Sequence, residues 1–327
     1  MAIEGIESFA NLAIADLVLK YVATSAGSIQ ATAGRWGGPC LRFTAASNYC
    51  ETLIVAATTV GQAVAVKFPA SMGTQSIFEF NEGASIHVDI RINTTGTIFA
   101  TRNGTTLGTS TNALTAGVWY HIEAKTTIHD TTGTVDVWVN GVNWLSLTGQ
   151  DTRNAGAGTV TRIQLSATSN STHDYSDWIV YSGSTGPLGD HRVGPKLPST
   201  TGANSQWTPS AGSNYQCVDE TAQNGDTDYV SEASAGDRDT YVFAALGLTG
   251  TVAAVQVNVW ARKDDAGSRT VAPVIRRSAV NYDGTAASVL DSYSAVCKQV
   301  YETDPSTAAA WSVTNVDAAE FGQKLVS

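Results

Sequence analysis

The chain has 327 residues, which is enough for about two domains of ordinary size. Only 15% of its residues are charged, and its 30 glycines stand among many Thr, Ser, Ala and Val residues, a composition that favours pleated strands joined by tight turns. The formal net charge of −10 leaves no clustered Lys and Arg for a phosphate backbone, so nucleic acid is excluded as a partner.

The amino-terminal residues 1–20 do not have the pattern of a secretion signal. Glu4 and Glu7 stand where such a signal carries positive charge, and the apolar residues around them are interrupted. No stretch reaches the length of a transmembrane helix, so no membrane partner is expected. We therefore predict a protein that is made in a cytoplasm without an export signal.

The cysteines are Cys40, Cys50, Cys217 and Cys297, and they lack the close CxxC spacing of a zinc site. In a reducing compartment they are predicted to be buried, small apolar residues. Disulfide bonds remain the alternative if the mature protein functions outside the cell.

The clearest strand is predicted over residues 85–92, where apolar and polar residues alternate. The apolar face holds Ile86, Val88, Ile90 and Ile92, and the polar face holds His87, Asp89 and Arg91. A hairpin follows, and its turn is Asn103-Gly104, the strongest short-range hairpin signal.

A second hairpin is predicted over residues 118–142. Alternate residues from Tyr120 to Ile128 share one face, the turn spans residues 130–133, and every second residue from Val135 to Val139 continues the apolar face. Further short strands are expected at 159–168 and 177–182. Many short strands at this spacing favour a sandwich or a jelly roll.

The composition changes at residues 182–205, which are rich in Gly, Pro and Ser. We place a first domain at 1–186, a linker at 187–205 and a second domain at 206–327. In the second domain, residues 253–278 are predicted to form a hairpin with its turn at 264–267. A helical turn is expected around Val316 to Glu320, capped by Asn315.

Several motifs carry a family resemblance. The stretches AGRWGGPCLRF, GVWYHIEAKTTIHDTTGTVDVWVNGV and DYSDWIVYSGSTG resemble the laminin-G-like, concanavalin-A-like jelly roll of many bacteriophage structural proteins. The second half, with GDTDYVSEASAGDRDTYVF and VQVNVWARKDDAGSR, resembles the downstream part of the same tail- or virion-associated proteins. The resemblance spans about residues 33–322. It implies an all-β chain, a concanavalin-A-like jelly-roll sandwich followed by a second, smaller β-sandwich domain.

The same resemblance implies a virion building block or adhesion module and no known reaction. Glycosidases with this jelly roll carry two or three carboxylates on one strand, because a nucleophile and an acid must flank one glycosidic bond. No such run is present, and the nearest pairs, Asp174 with Asp177 and Asp226 with Asp228, are not expected on one face of a strand. We therefore predict that the protein is not an enzyme and needs no cofactor.

Two other groups of polar residues are considered. His121 and Glu123 share the outer face of a predicted strand and are interpreted as a solvated sheet surface, not as an acid–base pair. The acidic loop 219–228 is either a calcium site with oxygen ligands or a turn formed by Asn224-Gly225. The turn is the simpler interpretation, so no metal site is assigned.

Trp138 and Trp260 are the candidate site residues, because both are predicted to lie off the main core face of their strands. Such indoles can be covered by a loop, can anchor an interface between subunits, or can stack on a sugar ring. These alternatives correspond to different functions, and the sequence leaves all of them open.

The first functional hypothesis is a bacteriophage structural protein located in the virion, as a decoration, collar, fiber or tail-associated component. It would bind other virion proteins of the capsid, neck or tail and would self-associate, as a homotrimer by comparison with the proteins it resembles. The second hypothesis is a lectin-like module for host attachment that recognises host surface glycans.

Overall fold

A computed structural model describes residues 1–23 and 27–327 of the chain. It is built from antiparallel strands with a few short helical turns, so the predicted all-β class, a jelly-roll sandwich followed by a second β domain, is confirmed. The chain divides into two compact units: unit 1 is Met1–Ala10 with Tyr21–Val193, and unit 2 is Asn11–Lys20 with Gly194–Ser327. In the part of the chain that the structure describes, no helix is long and apolar enough to cross a membrane.

The strands of unit 1 are β1 (Ala2–Glu7), β2 (Val22–Ala23), β3 (Ser28–Gln30), β4 (Cys40–Phe43), β5 (Tyr49–Ala57), β6 (Thr59–Lys67), β7 (Gln75–Glu82), β8 (Ser85–Ile92), β9 (Thr97–Arg102), β10 (Thr105–Ala113), β11 (Trp119–Thr127), β12 (Gly133–Val139), β13 (Val142–Gln150), β14 (Val160–Ser166) and β15 (His173–Ser182). Sheet A has the order β13-β12-β11-β6-β15-β4-β3, with β1 paired to β15, and sheet B has the order β10-β9-β8-β7-β14-β5-β2.

The core of unit 1 lies between sheets A and B. Every second residue of a strand points inward, and many of these residues are apolar and fully buried, for example Val64 on β6, Phe78 on β7 and Ile90 on β8. Tyr175 of sheet A donates its hydroxyl toward the backbone carbonyl oxygens of Ser166 and Ile77 in sheet B, at 3.0 and 3.2 Å. The outward faces of the two sheets are therefore the surfaces left for function.

The strongest local predictions for unit 1 are confirmed. Val88, Ile90 and Ile92 are buried on one face of β8, and Asn103 and Gly104 connect β9 to β10 with φ values of 45° and 81°. A two-residue turn with positive φ at both positions matches the twist of the flanking strands, and Asn-Gly tolerates this conformation at low cost. The predicted hairpin of β11 and β12 forms from Ile122↔Val139 to Thr127↔Thr134. All four cysteines are free and buried.

The elements of unit 2 are α1 (Ile14–Lys20), β16 (Pro198–Ser205), β17 (Thr208–Pro209), a 3₁₀ turn (Asn214–Cys217), β18 (Val230–Ser231), β19 (Arg238–Phe243), β20 (Val255–Ala261), β21 (Thr270–Arg277), β22 (Val280–Asp283), β23 (Ala287–Ser288), β24 (Ser294–Tyr301), α2 (Val313–Asp317) and β25 (Glu320–Leu325). Its main sheet has the order β16-β19-β25-β21-β22, with β23 on β21, while β20 pairs with β24. The core between them contains Val257, Ile275, Trp311 and Phe321. Of the residues assigned to a linker, 187–193 are grouped with unit 1, and β16 begins at Pro198.

Two local predictions for unit 2 are wrong. Residues 253–278 do not form a hairpin, because β20 pairs with β24 while β21 pairs with β25, β22 and β23. The connection from Ala261 to Thr270 crosses from one sheet to the other, and both strands bury their valines against the shared core. The last helical turn spans Val313–Asp317 and is capped by Ser312, whose hydroxyl accepts from the Asn315 N–H, so Asn315 lies inside the turn.

Candidate functional site on sheet B

The outer face of sheet B carries a row of polar side chains that runs straight across the strands. The apolar residues Phe78 and Phe80 point into the core, so Glu79 between them must point outward. The partners of Glu79 on both neighbouring strands are also polar. In register, the row across β5, β14, β7, β8 and β9 is Glu51, Gln164, Glu79, Asp89 and Thr101.

The row is densely hydrogen-bonded even though it lies on an outward face. Glu79 is 4% exposed and Asp89 is 5% exposed. The Gln164 side-chain amide donates to Glu79 Oε2 at 3.1 Å, and the Arg162 guanidinium pairs with Glu51 Oε1 at 2.9 Å. The partly exposed Gln164 and Arg162 side chains are therefore bonded to the buried carboxylates of Glu79 and Glu51.

The two carboxylate oxygens of Asp89 have different surroundings. Its Oδ2 atom accepts from Arg91 Nη1 at 2.7 Å and from Ser76 Oγ at 2.8 Å. Among the described residues, Asp89 Oδ1 and Asn81 Oδ1 are buried oxygens without a hydrogen-bond partner. An unsatisfied buried acceptor costs about 1–3 kcal/mol, so these two oxygens would gain from a donor.

The two adjacent carboxyl groups cannot both ionise freely. Burial, together with the neighbouring charge of Asp89, raises the pKa of Glu79 to about 7. Burial also raises the pKa of Asp89, while Arg91 and Ser76 favour its charged form. Near neutral pH, Glu79 can therefore both donate and accept a hydrogen bond.

Two half-buried aromatic rings lie on the same face as the row. Tyr49 precedes Glu51 by two residues on β5, and Phe99 precedes Thr101 by two residues on β9. The Arg91 guanidinium lies 5.9 Å from the centre of the Phe99 ring. The face thus combines hydrogen-bonding groups with flat apolar surfaces.

Loops border the face at both ends of its central strands. At one end, Glu82 of β7 accepts from the backbone N–H groups of Ala157 and Gly158 at 2.9 and 3.0 Å. At the other end, Thr168 accepts from the backbone N–H of Ser76 at 2.9 Å. These contacts fix the loops against sheet B and set the limits of the row.

The predicted site residues Trp138 and Trp260 are not part of this face. Trp138 lies on the outer face of sheet A, opposite Glu123, and the Lys125 ammonium is 5.6 Å from the centre of its ring. Trp260 lies on β20 in unit 2, where a register irregularity separates it from Val259. Both indoles are half-buried, and the structure brings neither of them to the carboxylates of sheet B.

The interpretation of His121 and Glu123 as a solvated surface is wrong, because each is only 1% exposed. Residues 186–193, here called the strap, run over them on the outer face of sheet A. Glu123 accepts from the strap N–H groups of Leu188 and Gly189 at 2.8 and 3.1 Å, and from the Tyr181 hydroxyl at 2.6 Å. Periodicity identified the face correctly but could not reveal what covers it.

The carboxylates singled out from the sequence have other partners. Asp174 and Asp177 both lie on β15, but Asp174 is paired with Arg42 at 2.6 Å, and Asp177 accepts from Val193 and Trp36. In the acidic loop, Asp226 accepts from Arg262 and Tyr293. Asp228 accepts from Asn224.

Sequence reasoning missed Glu79 because β7 was not identified as a strand. The alternation in QSIFEFNE was the available signal, since it places Gln75, Ile77, Glu79 and Asn81 on alternate positions. The partners of Glu79 on β8 and β14 depend on pairings between distant parts of the chain. No local pattern specifies those pairings.

Comparisons with known proteins find no matching family, and no curated protein matches the chain. Solved structures with similarity include an alginate lyase, Aly36B, as a mutant bound to alginate trisaccharide (16% identity, 49% of this chain and 86% of the other, TM-score 0.35). Another is domain 4 of AbnA, a GH43 extracellular arabinanase from Geobacillus stearothermophilus, with arabinotriose (14% identity, 56% and 93%, TM-score 0.40). A third is the Trypanosoma rangeli sialidase (11% identity, 54% and 30%, TM-score 0.38).

These matches correct the expectation that the chain is not an enzyme, because the proteins they name are a lyase, an arabinanase and a sialidase. The sequence analysis considered only carboxylates on one strand, whereas Glu79 and Asp89 form a pair on the adjacent strands β7 and β8. At these identities and TM-scores, no reaction is carried over from those proteins to this chain.

Proposed function

We propose that this protein binds carbohydrate on the outer face of sheet B. The observation that carries the proposal is the in-register row of Glu51, Gln164, Glu79, Asp89 and Thr101. It is flanked by the Tyr49 and Phe99 rings. Sugars present hydroxyl groups that both donate and accept hydrogen bonds, and ring faces that stack on aromatic side chains.

The charge of the face supports an uncharged or weakly charged glycan. Glu51 is paired with Arg162, and Asp89 is paired with Arg91, so these ions largely neutralise each other. Glu79, with its pKa raised to about 7 by burial, adds a group that is partly protonated at neutral pH. Such a face has little net charge with which to attract a polyanion or a polycation.

A microarray of bacterial surface polysaccharides, probed with the full chain at pH 7, tests the proposal. We expect saturable binding to a subset of the glycans. The change Gln164→Ala should weaken that binding about tenfold, because it removes a polar contact worth roughly 1.5 kcal/mol and uncovers the Glu79 carboxyl.

The matched control is Gln150→Ala, at the end of β13 in sheet A, where the side chain donates to the Thr148 carbonyl. This variant should bind as well as the original chain. Equal losses in the two variants, or no binding to any polysaccharide, would count against the proposal.

A second candidate is the virion structural protein expected from the family resemblance. The observation that favours it is an exposed apolar surface on β5, where Leu53 is 62% exposed and Val55 is 74% exposed. Exposed apolar residues close to a sheet edge are typical of surfaces that meet another protein. The half-buried indoles of Trp138 and Trp260 could add to such contacts.

Light scattering of the purified chain tests this second candidate. Self-association as a trimer predicts three times the chain mass, and the double change Leu53→Lys with Val55→Lys should reduce it to that of a monomer. The double change Thr105→Lys with Thr109→Lys, at exposed positions of β10, is the matched control. A monomeric mass for the unaltered chain would contradict self-association.

A further inference from the structure

The strap, residues 186–193, lies in a trough on the outer face of sheet A. The floor of the trough is the outward side of β6, where the central positions are the small residues Gly61, Ala63 and Ala65. Its two sides come from β11 and β15, which pair with β6 along both edges. Small residues leave room for a polypeptide segment to pack directly against the sheet.

The strap is held mainly by polar contacts. Glu123 accepts hydrogen bonds from two backbone N–H groups of the strap, and Asp177 accepts a third from the Val193 N–H at 2.8 Å. Arg35 forms a bidentate ion pair with Asp190, with both distances at 2.6 Å. Because hydrogen bonds and ion pairs dominate, the stability of this attachment depends on protonation.

The centre of the attachment is a contact between two histidines. His121 Nε2 lies 3.0 Å from His191 Nδ1, and His191 Nε2 lies 2.9 Å from the carbonyl oxygen of Asp177. A carbonyl oxygen only accepts, so His191 Nε2 carries a hydrogen. In the neutral pair, His121 Nε2 therefore donates to His191 Nδ1, which also lies 3.2 Å from the carbonyl oxygen of Gly189.

This contact can hold one added proton but not two. With one proton, His191 donates from both ring nitrogens, to His121 and to the carbonyl of Asp177. With two protons, an N–H group faces another N–H group at 3.0 Å, and two positive charges share a buried space. The doubly protonated pair is stable only when the rings separate.

We propose that the His121–His191 contact is an acid-sensitive latch, and that protonation of both rings releases the strap and uncovers the outer face of sheet A. The proposal concerns a different face of unit 1 from the carbohydrate site and does not depend on it.

The charged groups around the pair set the sign of the effect. They are Asp190 and Arg35, which neutralise each other, Glu123 on β11, Asp177 on β15 and Arg192 in the strap. Burial and the neighbouring His191 lower the pKa of His121 to about 3. Burial raises the pKa of Asp177, so its protonation favours the closed state and works against release.

The linkage gives a quantitative expectation. An open strap binds one proton more than a closed strap between pH 6.5, where a free histidine titrates, and about pH 3. The equilibrium constant for opening should therefore increase about tenfold for each pH unit of acidification in this range.

Hydrogen exchange of the full chain, measured by mass spectrometry from pH 7 to pH 4.5, tests the latch. The reporters are the backbone N–H groups of Leu188, Gly189 and Val193, corrected for the intrinsic pH dependence of exchange. In the unaltered chain their opening constants should increase about tenfold per pH unit below pH 6.5. Backbone amides of β6 should remain protected from exchange over this pH range, because they exchange when the whole unit unfolds and not when the strap opens.

His121→Gln removes the titrating ring and should make strap exchange nearly independent of pH. His121→Asn, which also removes the titrating ring, should do the same and covers the case in which the first variant fails to fold. His129→Gln is the matched control, because this ring accepts from the neighbouring Thr131 and Thr132 and not from the strap in the described part of the chain, and it should leave the tenfold slope unchanged. A flat profile in the unaltered chain, or an unchanged slope in both latch variants, would overturn the proposal.

Discussion

Three glutamates illustrate how environment decides the chemistry of a residue. Glu79 is buried beside Asp89, Glu123 is buried under the strap, and Glu82 is fixed by backbone N–H groups of a loop. The sequence predicted the strand face of Glu123 alone, because β7, which carries Glu79 and Glu82, was not identified as a strand. It could not predict their chemistry, because the covering groups come from residues 65 to 85 positions away in the chain.

Replacing Glu79 tests the assigned protonation state. The folded-state pKa is raised from 4.5 to about 7, so the stability associated with the neutral carboxyl is present at acidic pH and is lost as the pH increases through 7. The Gln side chain of Glu79→Gln stays neutral at every pH. The free energy of unfolding of this variant should therefore be about 1–3 kcal/mol higher than that of the original chain at pH 8, and nearly equal to it at pH 4.5. Urea denaturation at both values measures this.

Glu82→Gln is the matched control with the opposite sign. Backbone N–H groups of the loop lower the pKa of Glu82, so its stabilising effect is present above pH 4.5 and is lost on acidification. This variant should be less stable than the original chain at pH 8. If both variants change stability in the same direction, the assignment for Glu79 is wrong.

A buried histidine predicts acid sensitivity of the core. His173 is fully buried, and burial lowers its pKa to about 3. Its stabilising contribution is therefore complete above pH 6.5 and is lost progressively as the pH falls toward 3, by at most about 1.4 kcal/mol per pH unit. His173→Gln should flatten the dependence of the free energy of unfolding on pH between 6.5 and 4.5. Parallel curves for the two chains would contradict this account.

At the scale of elements, prediction succeeded where local chemistry decides the structure. The Asn103-Gly104 turn and the alternation of β8, β11 and β12 are properties of short segments, and the structure contains them as predicted. The pairing of β20 with β24 was not predicted, because it joins segments that are more than 30 residues apart in the chain. The polar row of sheet B could not be predicted for the same reason, since each of its residues belongs to a different strand.

The trough of sheet A gives a prediction about packing. A Cβ atom on Gly61 would overlap the ring of Tyr181, whose hydroxyl donates to Glu123. Gly61→Ala should therefore lower the free energy of unfolding by about 1–3 kcal/mol, the usual cost of overpacking. A Cβ on Gly5 meets nothing within 4 Å, so Gly5→Ala should change it by less than about 0.5 kcal/mol. Equal effects of the two changes in thermal or urea unfolding would show that the trough is not tightly packed.

At the scale of the whole molecule, the division into units does not follow the chain order strictly. α1, Ile14–Lys20, belongs to unit 2 although the strands on both sides of it belong to unit 1. Its Leu17 is fully buried, and the carbonyl of Lys20 accepts from Lys298 on β24. No feature of residues 1–20 indicates a partner near residue 298. The sequence therefore predicted two β regions, but it did not predict that α1 belongs to the second of them.

The strap predicts where a stable fragment of unit 1 ends. A fragment of residues 1–193 retains the strap and its bonds to Glu123 and Asp177, whereas a fragment of residues 1–186 leaves both carboxylates without those donors. We expect both fragments to melt cooperatively, with the shorter one melting roughly 5 °C lower or more. Circular dichroism melting curves measure this, and identical melting temperatures would mean that the strap contributes nothing to unit 1.

The central proposal is that sheet B binds carbohydrate, and the most direct measurement is a crystal structure of the full chain with an oligosaccharide selected on the polysaccharide array. We predict density for the sugar over Gln164, Glu79 and Asp89, with a hydroxyl group donating to Asp89 Oδ1 or Asn81 Oδ1, two buried oxygens that have no partner among the described residues. Density over the strap or on unit 2, with the row unchanged, would contradict the proposal.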